Sequence, residues 1–324
     1  MSITITGGFT STGGGFTLVA APSTPTAGWF IGGNPPANPA SSLIDRITYA
    51  TDTTTASVRG PLSPGVRFTS ATGTNTYGWI ASGTTGTAKI STIQRITYAN
   101  DSATTSARGT MTYPNYFNGA STDSTTYGWW GGGYGGNGPG WMSSVDRVTY
   151  ATDTGTASLR GPLSSARYGL SAVSNTQYGW FGGGNSNASP NYFSIIDRIT
   201  YATDTATASV RGPLFSLGRS FGVSSDGSNY GYFVAGDGQT VNLSSVQRIT
   251  YATDTATASI RGSYILSIYS LAGSGNDTYG YFGGGSGPIS SVGRITYATD
   301  TATATTKGPL SAARYSLGSS AGIQ

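Results

Sequence analysis

The 324-residue chain contains no cysteine and no histidine, and all 13 of its acidic residues are aspartates. The lack of cysteine excludes a disulfide framework, a thiolate metal site and a thiol nucleophile. The lack of histidine and glutamate reduces the usual general acids and bases to aspartates, tyrosines and two lysines. This set is poor for catalysis, so we expect neither an enzyme nor a bound metal or cofactor.

Long apolar runs are missing as well. No stretch approaches 18 consecutive apolar residues, and residues 1–6 lack the basic start and apolar run of a secretory signal. We therefore expect neither membrane insertion nor Sec-dependent export. Only 9% of the residues are charged, whereas glycine alone accounts for 50 positions, a composition that suits short strands joined by tight turns.

A six-fold internal repeat organises most of the chain. Its signature is an arginine followed by Ile or Val, Thr, Tyr and Ala, and the six copies begin at Arg46, Arg95, Arg147, Arg198, Arg248 and Arg294. Differences between successive arginine numbers give spacings of 49, 52, 51, 50 and 46 residues. This period is close to that of kelch blades and above that of WD40 blades, so each repeat is predicted to be one blade.

Four strand-like runs can be identified within a repeat. In the fourth repeat, we predict strand a over 167–173, strand b over 178–181, strand c over 196–202 and strand d over 207–210. An aspartate recurs in the turn between strands c and d, where its carboxylate can accept backbone N–H bonds. The six copies of this aspartate are Asp52, Asp101, Asp153, Asp204, Asp254 and Asp300.

The pattern resembles the kelch family of β-propellers. The resemblance rests on a glycine run after strand b, an aromatic residue before the turn aspartate, and Pro-Leu followed by an arginine that opens the next strand a. It covers roughly residues 25–324 and implies an all-β, six-bladed propeller of four-stranded antiparallel blades. The repeat also resembles those of virion structural proteins of tailed phages from marine cyanobacteria, and this resemblance implies a place in the virion.

The ends of the chain predict how such a ring would close. Seven segments read as strand a, whereas strands b, c and d each occur six times. We predict that the last strand a, after Arg314, completes the first blade beside Trp29 and Phe30, which removes an exposed sheet edge. Residues 1–24 would then form an arm rich in Gly and Thr, which is either loosely docked or adds a strand over residues 3–6 to a neighbouring subunit.

The net charge of +4 does not indicate nucleic-acid binding, because all 15 arginines occupy repeat positions. We expect the recurring arginine to pair with an aspartate or to stack on an aromatic ring of the next blade. Strand b also carries an aromatic at one fixed position, which we interpret as packing between blades rather than as a sugar platform. Its six copies are Trp29, Trp79, Trp129, Trp180, Tyr232 and Tyr281.

The variable connections between strands b and c are the candidate binding surface. They bring aromatic side chains next to amides, a combination that suits recognition of carbohydrate or of another protein. The candidate residues are Tyr134, Trp141, Tyr192 and Phe193. We expect Asp123, Asp226 and Asp277 to be solvated and not to converge on a metal or a catalytic pair.

These observations favour a non-enzymatic virion structural protein, either an adhesin-like tail or fibre propeller or a subunit decorating the capsid. It would be made in the host cytoplasm, and its partners would be other virion proteins. The alternative is a carbohydrate-binding propeller that recognises a host-surface glycan through the variable loops. A homo-oligomer is left open, as is the position in the particle.

Overall fold

The computed structural model describes residues 7–12, 15–20, 24–37, 40–135, 140–186 and 191–322. These residues form an all-β structure in which six sheets have four antiparallel strands each. We number the sheets 1 to 6 by the order of their second strands in the chain, and we letter the strands a to d across each sheet. No helix in these ranges is long and apolar enough to cross a membrane.

The strand bounds are similar from sheet to sheet. Sheet 1 contains Gly318–Gly322, Ala27–Ile31, Ile44–Thr48 and Ser57–Val58. Sheet 2 contains Ser70–Gly73, Tyr77–Ala81, Thr92–Thr97 and Ser106–Thr110. Sheet 3 contains Gly119–Thr122, Tyr127–Gly131, Val145–Thr149 and Ser158–Arg160.

The remaining three sheets continue the pattern. Sheet 4 contains Ser171–Ser174, Tyr178–Gly182, Ile196–Thr200 and Ser209–Arg211. Sheet 5 contains Gly222–Ser225, Tyr230–Val234, Ser245–Thr250 and Ser259–Ser263. Sheet 6 contains Ala272–Gly275, Tyr279–Gly283, Val292–Thr296 and Thr305–Lys307.

Two small sheets complete the strand inventory of the described ranges. Gly7–Thr12 pairs with Gly15–Ala20 in a hairpin within the predicted arm. A three-stranded sheet joins Asn115–Tyr116, Tyr134–Gly135 and Gly140–Trp141. Residues 3–6, which we considered as an added strand, lie outside the described residues.

The predicted pairing of the last strand with the first sheet is observed. Gly318–Gly322 runs antiparallel to Ala27–Ile31, with Ser319 opposite Phe30 and Ser320 opposite Trp29. Sheet 1 therefore combines the two ends of the repeat region, and its strand a comes from a part of the chain nearly 300 residues away from its strand b.

The strand predictions were wrong in their bounds. Strand a of sheet 4 begins at Ser171 rather than at residue 167, and strand c ends at Thr200 rather than at residue 202. Strand d covers Ser209–Arg211 rather than residues 207–210. The Tyr-Ala pair that was assigned to the end of strand c instead begins a short 3-10 helix, which turns the chain towards the aspartate that follows it. The six copies are Tyr49–Thr51, Tyr98–Asn100, Tyr150–Thr152, Tyr201–Thr203, Tyr251–Thr253 and Tyr297–Thr299.

The hydrophobic core lies between the sheets. Each of six buried clusters combines side chains from two consecutive sheets, and one of them joins sheet 6 to sheet 1. Contacts between strands a follow the same order, from sheet 1 through sheet 6 and back to sheet 1. A sheet therefore buries both of its faces against its neighbours.

Candidate functional site

The interface between consecutive sheets is built around the turn aspartate. Asp153 of sheet 3 accepts hydrogen bonds from three residues of sheet 2: Trp79 Nε1 at 2.7 Å, Arg95 at 3.1 Å and Arg108 at 2.6 Å. Burial alone would raise the pKa of the Asp153 carboxyl, but hydrogen bonds from Arg108 and Trp79 and the charges of Arg95 and Arg108 outweigh it and lower that pKa. The carboxylate is therefore held in its charged form.

The same set occurs at every one of the six interfaces. The other indole donors contact their aspartates at 2.8–2.9 Å, and Tyr232 and Tyr281 take the place of tryptophan at the last two. The strand c arginines reach these carboxylates at 2.7–3.1 Å. At the interface of sheet 6 with sheet 1, Asp52 binds Arg294 and Lys307. The predicted pairing of arginine with aspartate is thus observed between sheets.

The strand b aromatics are buried against the next sheet. Trp129 is 0% exposed and stacks on Tyr201 with ring centroids 3.8 Å apart and planes 7° from parallel. The equivalent pairs elsewhere are also stacked, at 3.9–4.0 Å for tryptophan and 4.7–4.8 Å for tyrosine. These rings are part of the core and offer no face to a sugar.

The expectation that the strand c arginines stack on an aromatic ring of the next blade was wrong. Arg147 lies over Tyr127 at 4.2 Å, and both belong to sheet 3 rather than to neighbouring sheets. Four other arginines repeat this contact with the first residue of their own strand b. The arginine thus stacks within its sheet while its guanidinium NH1 reaches the next one.

Two further ion pairs are fully buried inside single sheets. Arg314 NH2 lies 2.6 Å from Asp45 in sheet 1, and Arg167 NH1 lies 2.9 Å from Asp197 in sheet 4; all four side chains are 0% exposed. Arg67, which also opens a strand a in the sequence, does not occupy this position. It lies one residue later in the repeat and bonds Asn34 at 2.8 Å.

One end of the sheets carries a cycle of backbone hydrogen bonds. We call this end the upper face; here strands a begin and strands b end. Just before strand a of each sheet, one residue donates its N–H to the carbonyl of the equivalent residue in the preceding sheet, at 2.6–2.9 Å. The six mouth residues of this cycle are Phe68, Phe117, Gly169, Ser220, Ser270 and Ser316. They surround the upper end of a cavity lined by all six strands a.

The upper face also carries the predicted loop aromatics. Tyr134 pairs with Trp141 in the small sheet, and its ring lies 5.4 Å from Tyr116 and 5.8 Å from Tyr168. These half-buried rings continue to Phe117, which lies 6.0 Å from Tyr168. The structure thus joins the loop of sheet 3 to the mouth residues in one aromatic surface.

The second predicted loop adds a polar cluster at the edge of this surface. Tyr192 donates to Asp237 at 2.7 Å, and Arg219 pairs with the same carboxylate at 2.9 Å while lying over the rings of Tyr192 and Tyr168. Burial, with a smaller effect from the hydrogen bond to Asp237, raises the pKa of Tyr192 to about 12. Phe193 is half-buried in the same connection.

The aspartates of the connections between strands a and b lie at the opposite, lower face. Asp123 Oδ1 accepts three backbone N–H bonds at 2.7–3.0 Å, and Asp226 Oδ1 does the same at 2.8–3.0 Å. They shape turns rather than being simply solvated, whereas Asp277 is exposed and accepts a bond from Thr24. Within the described ranges, no three acidic residues are grouped so as to hold a metal ion.

Comparison with known proteins adds no assignment. No family model matches the chain, and no curated protein matches it.

The mouth residues were missed by sequence reasoning. Phe, Gly and Ser have no side-chain property in common, so the residue types alone do not mark these positions as equivalent. Their common property is a positive φ between 55° and 69°, which directs each N–H towards the preceding sheet. The signal that could have found them is their fixed distance from strand a in each repeat.

Proposed function

We propose that residues 25–324 form a closed, six-bladed, kelch-like β-propeller, with residues 1–24 as an arm outside the ring. Three observations support this arrangement. The interface set recurs six times and includes the contact of sheet 6 with sheet 1. The cycle of mouth hydrogen bonds returns to its starting residue, because Phe68 donates to Ser316. Finally, the last strand pairs with the first sheet.

We further propose that this propeller is a non-enzymatic structural protein of a tailed-phage virion and works through protein–protein contacts. The observation that carries the proposal is the use of the charged groups. Twelve basic side chains bind six aspartates between sheets. Charges engaged in this way stiffen a scaffold and leave few groups for chemistry or for binding nucleic acid. The residue pattern of the repeat, which resembles that of virion structural proteins, also supports the proposal.

The place where the arm meets sheet 1 fits attachment through the lower face. Pro25 lines the lower part of the central cavity, and Thr24 bonds Asp277 in a lower connection. The first described residues after the hairpin thus lie at the face opposite the aromatic surface. A chain held in a particle through the arm would leave the upper face free for a partner.

Mass spectrometry of purified particles of the phage that encodes this chain tests the virion proposal. We expect peptides of the chain at a stoichiometry comparable to known particle proteins, resistant to washing with high salt. A chain found only in the soluble lysate of infected cells would overturn the proposal.

A host-surface glycan is a second candidate partner. It is favoured by the joining of Tyr134, Trp141 and Tyr168 into one half-buried aromatic surface beside polar side chains. Adsorption to host cells is expected to fall for Trp141→Ala and Tyr192→Ala relative to the unmodified protein. Unchanged adsorption of both variants would count against recognition through these loops.

A further inference from the structure

Two of the six mouth residues are phenylalanines, although the backbone cycle does not require an aromatic side chain. Phe68 and Phe117 have φ values of 55° and 60°, in the left-handed region that large side chains rarely adopt. The same position holds Gly169 in sheet 4 and serines in sheets 5, 6 and 1, with φ between 56° and 69°. The hydrogen-bonded cycle therefore forms without an aromatic, and the strained phenylalanines need another explanation.

The two phenylalanines form an aromatic wall on one side of the mouth, in which the face of one ring packs against the other ring. Their ring centroids lie 4.2 Å apart, with planes tilted by 32°. Tyr315 contacts Phe68 edge-on at 6.4 Å, and Tyr168 lies 6.0 Å from Phe117, so the wall is braced at both ends. Both phenylalanines are only half-buried, so part of each ring stays open to a ligand.

Serines occupy three of the other four mouth positions. Ser220, Ser270 and Ser316 line the same cavity as the two phenylalanines. The Ser316 hydroxyl is buried, its residue being 5% exposed, and it has no hydrogen-bond partner among the described residues. A buried hydroxyl without a partner costs free energy, which a ligand that bonds it would recover.

The cavity behind the mouth has a volume of about 100 Å³ and is open to solvent. It continues downwards between the six strands a, where small residues such as Ala71, Ala120 and Ala172 line it. The upper part of the cavity takes a small substituent rather than a whole sugar ring. A ligand would therefore lie across the mouth and insert one group.

We propose that the mouth is a saccharide-binding site. A pyranose has an apolar C–H face and an edge of hydroxyls, which matches a mouth that combines two aromatic rings with three serines. The sugar ring would pack against the part of the Phe68 and Phe117 ring pair that remains open, its hydroxyls would bond the serines, and a hydroxymethyl or acetamido group would enter the cavity. An apolar peptide side chain would leave the Ser316 hydroxyl unpaired.

The surface outside the mouth extends the site for a longer glycan. Tyr116 and Tyr134 continue the aromatic wall outwards, and the exposed Lys89 lies 4.7 Å from the centre of the Tyr134 ring. Successive sugars could thus contact the mouth and then the loop of sheet 3. This proposal deepens the second candidate function and rests on it, but it does not require the chain to be a virion protein.

The test begins with an array of bacterial polysaccharides and their oligosaccharides, probed with the full chain. The best-binding oligosaccharide is then titrated calorimetrically against Phe68→Ser and Phe117→Ser. Serine is the residue that three other sheets carry at this position, so both variants should keep the Tm of the unmodified protein. We expect the Kd of each variant to rise at least ten-fold. Phe215→Ser is the matched control, because Phe215 is 63% exposed and lies outside the mouth.

Each other outcome overturns the proposal. Absence of saccharide binding on the array, or binding of polypeptide probes alone, would remove the ligand class. An equal loss of affinity in Phe215→Ser would show nonspecific contact with exposed rings. If Trp141→Ala and Tyr192→Ala weaken binding while the mouth variants do not, recognition through the loops stands and the mouth site is wrong.

Discussion

The interfaces between sheets and the upper face use opposite strategies within the same repeats. At the interfaces, one set of an aromatic ring, an aspartate and two basic side chains recurs six times. On the upper face, the mouth residue is Phe, Gly or Ser, and the residue before it is tyrosine in four sheets and arginine in two: Arg67, Tyr116, Tyr168, Arg219, Tyr269 and Tyr315. The repeated positions carry stability, and the varied positions are free to carry recognition.

A glycine after strand d shows how strict the interface is. The N–H of Gly161 donates to the Asp204 carbonyl at 2.8 Å. A Cβ atom added at Gly161 would lie only 1.9 Å from the Ala206 carbonyl oxygen. The equivalent glycines of the other five sheets have contacts of 1.7–2.0 Å. The backbone segments of neighbouring sheets approach too closely here for any side chain, so this position tolerates no residue other than glycine.

The largest effect is expected from removing an interface aromatic. Trp129→Ala would leave a cavity in a core where the ring is 0% exposed, and we expect a loss of about 4 kcal/mol in the free energy of unfolding. Tyr232→Ala should cost less because the deleted ring is smaller. Urea denaturation measures both, and a loss below about 1 kcal/mol for Trp129→Ala would contradict the role of the interface.

A slightly smaller loss is expected from breaking the buried pair in sheet 1. Arg314→Met leaves the buried Asp45 carboxyl without its cationic partner, which should cost about 3 kcal/mol. The double variant Arg314→Met/Asp45→Leu should recover most of this loss, since no charge is then left unpaired. Arg167→Met in sheet 4 is the matched control; hydrogen exchange should show the last strand opening only in the Arg314 variant. Equal opening of both strands would contradict a special role for the chain end.

Acid should weaken the interfaces rather than the upper face. At Asp52, as at Asp153, burial alone would raise the carboxyl pKa, but hydrogen bonds and neighbouring cations outweigh it and lower that pKa in the folded state. Their stabilisation is therefore present above the ordinary aspartate pKa of about 4 and is lost as the pH falls through the folded-state value. Burial raises the pKa of Asp146, which has the opposite effect.

The variant Asp153→Asn isolates this contribution. Its free energy of unfolding should be lower than that of the unmodified protein at pH 7, and the difference should shrink as the pH is lowered from 5 to 2. Urea denaturation at a series of pH values measures the difference. A gap that stays constant or widens in acid would show that the Asp153 charge is not what the interface uses.

The smallest change in stability is expected on the upper face. Tyr134→Thr introduces the residue that sheet 2 carries at the same position, Thr84, which makes the equivalent bridge to Arg67. We expect a change in the free energy of unfolding of about 0.5 kcal/mol or less, as is usual for surface positions. A loss comparable to that of Trp129→Ala would mean that the upper face is part of the stabilising core.

The parts of the fold that are marked by a recurring residue type could be predicted from the sequence. The recurring arginine and aspartate, the four strands and the pairing of the last strand could be predicted because each has a residue type at a fixed spacing. The register of Arg67 could not, since it lies one residue later than Arg167 relative to the mouth residue and faces a different environment. The mouth itself was out of reach because it is defined by backbone conformation, which Phe, Gly and Ser all adopt here.

Hydrogen exchange of the mouth amides tests the proposed closure of the six sheets into one ring. Rates for Phe68, Phe117, Gly169, Ser220, Ser270 and Ser316 can be measured by NMR at increasing urea concentrations. A closed ring predicts that all six amides are protected and lose protection together, at the midpoint of global unfolding. Fast exchange of Phe68 and Ser316, with the other four amides still protected, would show an open ring and contradict the account.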